Sequence, residues 1–328
     1  MLQVFKRNNI SAYVALLLIA VLCKLKYVLH PELVRADNAA FEALFFNMNR
    51  LKMFFHLHPT LYVLISLLLQ FAFAVYLNAV VNRQKLYPHK NYFTALSFIL
   101  ITSFLPVFNF LSVAFIANLF VLISFSSVLG LSNTALPRKA CFNIGLLLAI
   151  AVFFYFPAIL FVLLFILFIW LLRPFVLQEL LAYLLGFATP FYFALALLYL
   201  NGNLKPALSQ LQLHLRLPLR HSQTLPLAVF AIVGILYLLY SLSVSYKSSF
   251  KNAMIVKKKW RFITAYLFFG LVAGSFSGIF PQTYFILALT PFSILLSQSF
   301  HNRNEKLNIF TLFFLIISAL SVQWIFLK

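Results

Sequence analysis

The chain has 328 residues, of which 64% are hydrophobic and 9% are charged, and it carries 25 Lys and Arg residues against 5 Asp and Glu residues. A soluble domain carries about 25% charged residues, so this composition excludes an ordinary soluble protein, and we expect most of the surface to contact membrane lipids. The basic excess is typical of the loops that orient membrane proteins. Since no nucleic-acid-binding motif accompanies it, we expect no nucleic-acid partner.

Apolar runs of roughly 20 residues recur along the whole chain and predict an all-α, polytopic transmembrane bundle in a single domain, 1–328. The eleven predicted spans are 9–29, 59–81, 92–106, 110–130, 141–156, 158–173, 176–200, 225–245, 262–279, 281–299 and 307–327. The spans 92–106, 141–156 and 158–173 are short for a hydrocarbon core of about 30 Å. Such lengths are typical of half-helices buried among their neighbours.

The distribution of basic residues predicts the orientation of this bundle. With a cytoplasmic N-terminus, most of the Lys and Arg residues, including Arg83 and Lys90, fall on the cytoplasmic side, and fewer, including Lys24, fall outside. The positive-inside rule therefore predicts an N-in, C-out protein of the bacterial inner membrane. The longer loops are then 30–58 and 201–224 outside and the basic loop 246–261 inside.

The first external loop holds most of the acidic residues of the chain. Glu32, Asp37 and Glu42 all lie in it, and Asp37 is the only aspartate. After Asp37, polar residues recur at helical spacing opposite an apolar face, which predicts an amphipathic helix in the membrane interface. Asp37 is either the N-cap of that helix or a catalytic carboxylate, with Glu32 as the alternative catalytic acid.

The second external loop, 201–224, is basic and contains no acid. Lys205, Arg216 and Arg220 are candidates to bind a substrate phosphate on the same side of the membrane as Asp37, because Lys and Arg bind phosphate well. The alternative is an interfacial loop that contacts lipid headgroups.

Few ionisable side chains are predicted inside the membrane. Glu179 is the only acid within a span, and we expect it to pair with a nearby base such as Arg173. Ion-coupled transporters need intramembrane ionisable groups, so this scarcity argues against that class. Cys23 and Cys141 are interpreted as small core residues.

Gly270, Gly274 and Gly278 form a small-xxx-small face in the ninth span. Such a face predicts close helix packing, either inside the fold or against a membrane-protein partner. His56 and His58 form an HxH pair with no third ligand in sight. We therefore predict no metal and no cofactor.

Two segments carry a family resemblance. The stretches 82–106 and 173–202, with the hairpin around Phe156-Pro157 between them, resemble a family of bacterial polytopic inner-membrane proteins of unknown function. The cytoplasmic N-terminus, the acidic first external loop and its interface helix are also similar to the GT-C glycosyltransferase superfamily. That resemblance implies a polyprenyl-phosphate-linked sugar donor and a general base or metal-binding acid at Asp37, or at Glu32.

Three function classes follow. The first is a GT-C-like enzyme that handles a lipid-linked sugar or another anionic lipid on the outer face. The second is a non-enzymatic subunit or scaffold that packs against a partner through the ninth span. The third is a passive lipid transporter or flippase.

Overall fold

The structure is a computed structural model that describes residues 4–5, 10–31, 49–104, 106–200, 202, 234–243, 254–275, 285–300 and 305–326. Within these ranges every regular element is a helix. The all-α class predicted from the sequence is confirmed.

The helices follow the predicted spans in chain order. They are α1 (Ile10–Leu22), α2 (Leu25–Leu29), α3 (Asn49–Leu57), α4 (Pro59–Arg83), α5 (Phe93–Thr102), α6 (Val113–Gly130), α7 (Pro137–Phe154), α8 (Leu160–Leu172), α9 (Leu177–Leu200), α10 (Gly234–Ser243), α11 (Met254–Ser275), α12 (Ile286–Ser299) and α13 (Glu305–Phe326). Short 3-10 turns precede α6 and lie on either side of α7. Each of the eleven predicted spans thus contains at least part of a helix.

Four helices in the described part of the chain, α4, α6, α7 and α9, are long and apolar enough to cross a membrane by length and composition. The helix α7 is longer than its predicted span, because Pro137 supplies the fixed φ that suits the first turn of a helix. In the same described residues, six further apolar helical segments have 10–17 residues, among them 308–321 within α13. The count of eleven spans stays a prediction.

Two short helices form the centre of the bundle. Every residue of α5 is buried, and every residue of α12 except Phe292 is buried. With a rise of about 1.5 Å per residue, α5 is about 15 Å long, half the thickness of a hydrocarbon core. A helix that is apolar all round and packed on all sides is expected to be buried, and α5 and α12 pack against each other here.

A buried amide holds one end of α12. The Asn118 side chain of α6 donates from Nδ2 to the Ile286 carbonyl oxygen at 3.2 Å and accepts from Thr290 Oγ1 at 3.0 Å. Buried polar groups need such partners, since an unpaired one costs about 1–3 kcal/mol. Asn118 therefore fixes the register of α12 against α6.

Glycines set the closest helix crossings. A Cβ on Gly145 of α7 would meet the Tyr183 carbonyl of α9, and one on Gly186 of α9 would meet the Phe142 carbonyl of α7. Gly270 and Gly274 of α11 likewise face Ala288 and Phe285 beside α12.

Candidate functional site

The predicted outer-face site lies beyond the part of the chain that the structure describes. The residues concerned are Glu32, Asp37, Lys205, Arg216 and Arg220. The catalytic and phosphate-binding roles of these residues therefore stay predictions. Of the predicted interface helix, the structure describes α3, which has Met53, Phe54 and Leu57 exposed and Phe55 buried.

The small-xxx-small face is described at two of its three positions. Gly270 and Gly274 both pack inside the fold against α12 and its preceding residue, which is one of the two alternatives that the sequence left open. Gly278 lies outside the described residues.

The described residues do form a cleft between α1, α4 and the turn that connects α4 to α5. Its volume is about 330 Å³. The lining side chains are Tyr13, Val75, Asn78, Ala79, Asn82, Arg83, Lys90 and Tyr92. We call this feature the basic cleft, because Arg83 and Lys90 are its charged residues.

Asparagine amides build the wall of the basic cleft. Asn78 and Asn82 lie one helical turn apart on α4, and each donates from Nδ2 to the Asn91 carbonyl oxygen at 2.9 Å. The Asn91 side chain in turn accepts from the Phe93 backbone N–H at 3.2 Å, at the first residue of α5. One residue thus joins the end of α4 to the start of α5.

Two further contacts anchor the same turn to the core. Tyr87 donates its hydroxyl to the Ile294 carbonyl oxygen of α12 at 2.7 Å. Lys259, in the segment predicted to lie at the cytoplasmic side, donates from Nζ to Gln84 Oε1 at 2.9 Å. Burial lowers the pKa of Lys259 because the charged form loses hydration. The turn is therefore held from both sides, and the basic cleft keeps a defined shape.

The charge of the basic cleft is not neutralised by any described carboxylate. Arg83 and Lys90 are both exposed. Glu179 is the one acid whose side chain the structure describes, and it is buried and paired with Arg173, with the Arg173 Nη2 and Glu179 Oε1 atoms 3.7 Å apart. The Glu179–Arg173 pair predicted from the sequence is confirmed.

The chemistry that this arrangement offers is anion binding. Arg supplies a planar fork of N–H donors and Lys supplies a point charge, both of which suit phosphate oxygens. The lining residues include no carboxylate, histidine or cysteine, so the basic cleft provides a charged clamp rather than a nucleophile with its base. Among the described residues, no group of three His, Cys, Asp or Glu side chains is placed to hold a metal ion.

Arg83 and Lys90 were predicted only to orient the protein in the membrane, and the basic cleft was not predicted from the sequence. The available signal was the pair Asn78 and Asn82, one helical turn apart near the end of an apolar helix, followed by Asn91. Such amides in an apolar segment need partners.

The burial of Lys24, which the count of basic residues placed outside, was not predicted. Its side chain is only 4% exposed and donates a hydrogen bond to Gln70 Oε1 of α4. The expectation that ionisable groups are scarce inside the bundle therefore fails at this position. Cys23 and Cys141 are free and buried, as predicted.

No family model matches the chain, and no curated protein or solved structure matches it either. The resemblances to the inner-membrane family and to the GT-C superfamily thus stay predictions.

Proposed function

We propose that this chain is a multi-pass protein of the bacterial inner membrane that binds the phosphate-bearing headgroup of a lipid in the basic cleft. One observation carries the proposal: Arg83 and Lys90 are exposed beside a cleft of about 330 Å³, with no described carboxylate paired to either. Anionic headgroups are the ligands that such a clamp selects at a membrane surface.

The position of the basic cleft along α4 supports this ligand. The helix has 25 residues and is about 37 Å long, so it exceeds a hydrocarbon core of about 30 Å. Arg83 is its last residue, so a membrane-spanning α4 would carry the guanidinium at the level of the phosphates. Tyr13 and Tyr92 pack edge to face with ring centroids 4.9 Å apart, and tyrosine is enriched at this level of a bilayer.

In the proposed topology, with eleven spans, N-in and C-out, the basic cleft faces the cytoplasmic leaflet. Its ligand class includes the polyprenyl phosphates that the GT-C resemblance implies. A glycosyl-transfer reaction at Asp37 on the outer face stays a separate prediction. So does a membrane-protein partner at the ninth span, where the described Gly270 and Gly274 already contact α12 and Phe285.

The proposal is tested by lipid-dependent thermal unfolding in detergent. We expect phosphatidylglycerol to raise the melting temperature of the natural chain. The double variant Arg83→Gln with Lys90→Gln should bind about thirty-fold more weakly, since each basic residue contributes about 1 kcal/mol at an anionic surface.

The matched control is Lys85→Gln with Arg138→Gln. It removes the same charge from exposed residues that do not line the basic cleft, and it should keep the stabilisation by phosphatidylglycerol. Equal losses in the two double variants would show that net charge alone is responsible, and the proposal would be abandoned.

A further inference from the structure

Asn78 brings a buried hydrogen-bond acceptor to the wall of the basic cleft. Its side chain is one of the lining residues and is 3% exposed. The Nδ2 atom of Asn78 donates to the Asn91 carbonyl oxygen, which fixes the orientation of the amide. The Oδ1 atom of Asn78 accepts no hydrogen bond from any described residue. Because a buried acceptor without a partner destabilises the fold, its place beside a cleft points to a donor on the ligand.

Asn82 is the matched amide whose two polar atoms are both engaged. It lies one turn after Asn78 on α4 and also donates from Nδ2 to the Asn91 carbonyl oxygen, at 2.9 Å. In addition, Asn82 Oδ1 accepts from the Asn91 backbone N–H at 3.4 Å. The two amides therefore share one donor contact and differ in their acceptor. The oxygen of Asn82 is occupied within the protein, whereas that of Asn78 is left for a ligand.

The lining of the basic cleft changes from charged to apolar along α4. It begins at Arg83, the last residue of the helix, and passes Asn78 to reach Val75. Asn78 lies 5 residues before Arg83, or about 7.5 Å further into a membrane-spanning α4. A lipid whose phosphate contacts Arg83 therefore has the atoms between phosphate and acyl chain beside Asn78, and its chain beside Val75.

The position of Asn78 distinguishes lipids by the hydrogen-bond donors next to the phosphate. In a phospholipid with two ester-linked chains, the polar atoms at this depth are ester oxygens, which cannot donate to Asn78. A singly acylated glycerophospholipid has a free hydroxyl there, and an amide-linked lipid has an N–H. Either group can donate to the oxygen of a side-chain amide. Both classes of lipid thus share a donor at the depth of Asn78.

We propose that the basic cleft selects phosphate-bearing lipids with a hydroxyl or an amide N–H between the phosphate and the acyl chain, and that Asn78 Oδ1 accepts the hydrogen bond from this group. This selection rests on the proposed binding of the headgroup phosphate. Arg83 and Lys90 bind any lipid phosphate, because they contact its oxygens. Asn78 is the specificity-determining residue, because a lipid without the donor leaves its oxygen buried and unpaired.

Two pairs of synthetic lipids test this selection, and each lipid has one oleoyl chain and one phosphate. The first pair is lysophosphatidate, with its free hydroxyl, and the propanediol analogue that lacks it. The second pair is the amide N-oleoylethanolamine phosphate and the matching ester of ethylene glycol phosphate. Dissociation constants are measured by lipid-dependent thermal unfolding of the full chain in detergent. We expect the donor-bearing member of at least one pair to bind about tenfold more tightly, and that pair identifies the donor as hydroxyl or amide.

The variant Asn78→Leu should bind the two members of each pair equally, because leucine has a similar volume and no acceptor. The matched control is Asn82→Leu, which removes the same kind of hydrogen bond to the Asn91 carbonyl oxygen. It should weaken both members of a pair to the same extent and keep the tenfold preference. The comparison of lipids in the natural chain requires no variant and remains decisive if Asn78→Leu fails to fold.

Equal binding of both members of both pairs by the natural chain would overturn the selection. A preference that persists in Asn78→Leu would overturn the role of Asn78. In either case the phosphate binding itself stands if the Arg83→Gln, Lys90→Gln variant binds all of these lipids more weakly. Unchanged binding of every lipid by that double variant would instead contradict the proposed function.

Discussion

Asn118 illustrates how a single buried amide organises this bundle. Its side chain donates a hydrogen bond to the Ile286 carbonyl oxygen and accepts one from the Thr290 hydroxyl. The Asn118 side chain is fully buried. Replacement by leucine leaves both of those groups without their partner in an apolar interior. We expect Asn118→Leu to lower the free energy of unfolding by about 1–3 kcal/mol, measured by thermal unfolding in detergent.

The control for this prediction is Asn143→Leu in α7. Asn143 is exposed on the helix surface, so an apolar side chain there is tolerated. A melting temperature that falls equally in both variants, or in neither, would contradict the role assigned to Asn118.

Residue-scale contacts were predictable from the sequence only where the partners are close in the chain. Arg173 and Glu179 flank the start of α9, and their pairing was predicted. Lys24 and Gln70 are 46 residues apart, and Gln70 and Phe108 are 38 apart. No local sequence pattern connects these residues. Only the folded chain brings Lys24, near the end of the first predicted span, against Gln70 in the middle of α4.

At the scale of helices, the crossing of α7 and α9 depends on glycine. An added Cβ on Gly145 would lie 2.8 Å from the Phe187 backbone nitrogen, as well as against the Tyr183 carbonyl. Because backbone cannot yield as a flexible side chain does, Gly145→Ala should destabilise the protein by about 1–3 kcal/mol through overpacking. Thermal unfolding in detergent measures the effect.

Gly234 provides the matched comparison. It lies in α10, and nothing is within 4 Å of a Cβ built there. Gly234→Ala should be neutral or stabilising by up to about 1 kcal/mol, since alanine is the better helix former. If Gly145→Ala does not lower the melting temperature either, that result would contradict the close backbone contact between α7 and α9.

The sequence predicted helix positions better than helix contacts. The apolar runs located the helices, and Pro59 begins both the predicted span 59–81 and the helix α4. The regular spacing of Gly270 and Gly274 predicted close helix packing, but it did not identify α12 as the helix against which they pack. Gly145 and Gly186 were missed as a pair, because each is isolated in its own helix and the contact exists only between helices.

At the scale of the whole molecule, the centre is made by elements that are far apart in the chain. The helices α5 and α12 meet although more than half of the chain lies between them. Composition predicted a helical bundle but not this pairing, since both helices are buried on nearly every side and carry no amphipathic pattern.

The same arrangement explains why the basic cleft has a fixed shape. Tyr87 ties the turn before α5 to α12, and Asn91 ties it to α4. The turn that presents Lys90 is therefore part of the core rather than a free loop. A preformed site of this kind needs little reordering to take up a ligand.

The most direct test of headgroup binding is native mass spectrometry of protein extracted gently from membranes. The natural chain should retain anionic phospholipid, and addition of inorganic phosphate should not displace it if the lipid tail contributes to binding. The Arg83→Gln, Lys90→Gln variant should lose most of that lipid, while the Lys85→Gln, Arg138→Gln variant keeps it. Equal lipid retention by the two double variants would contradict the account.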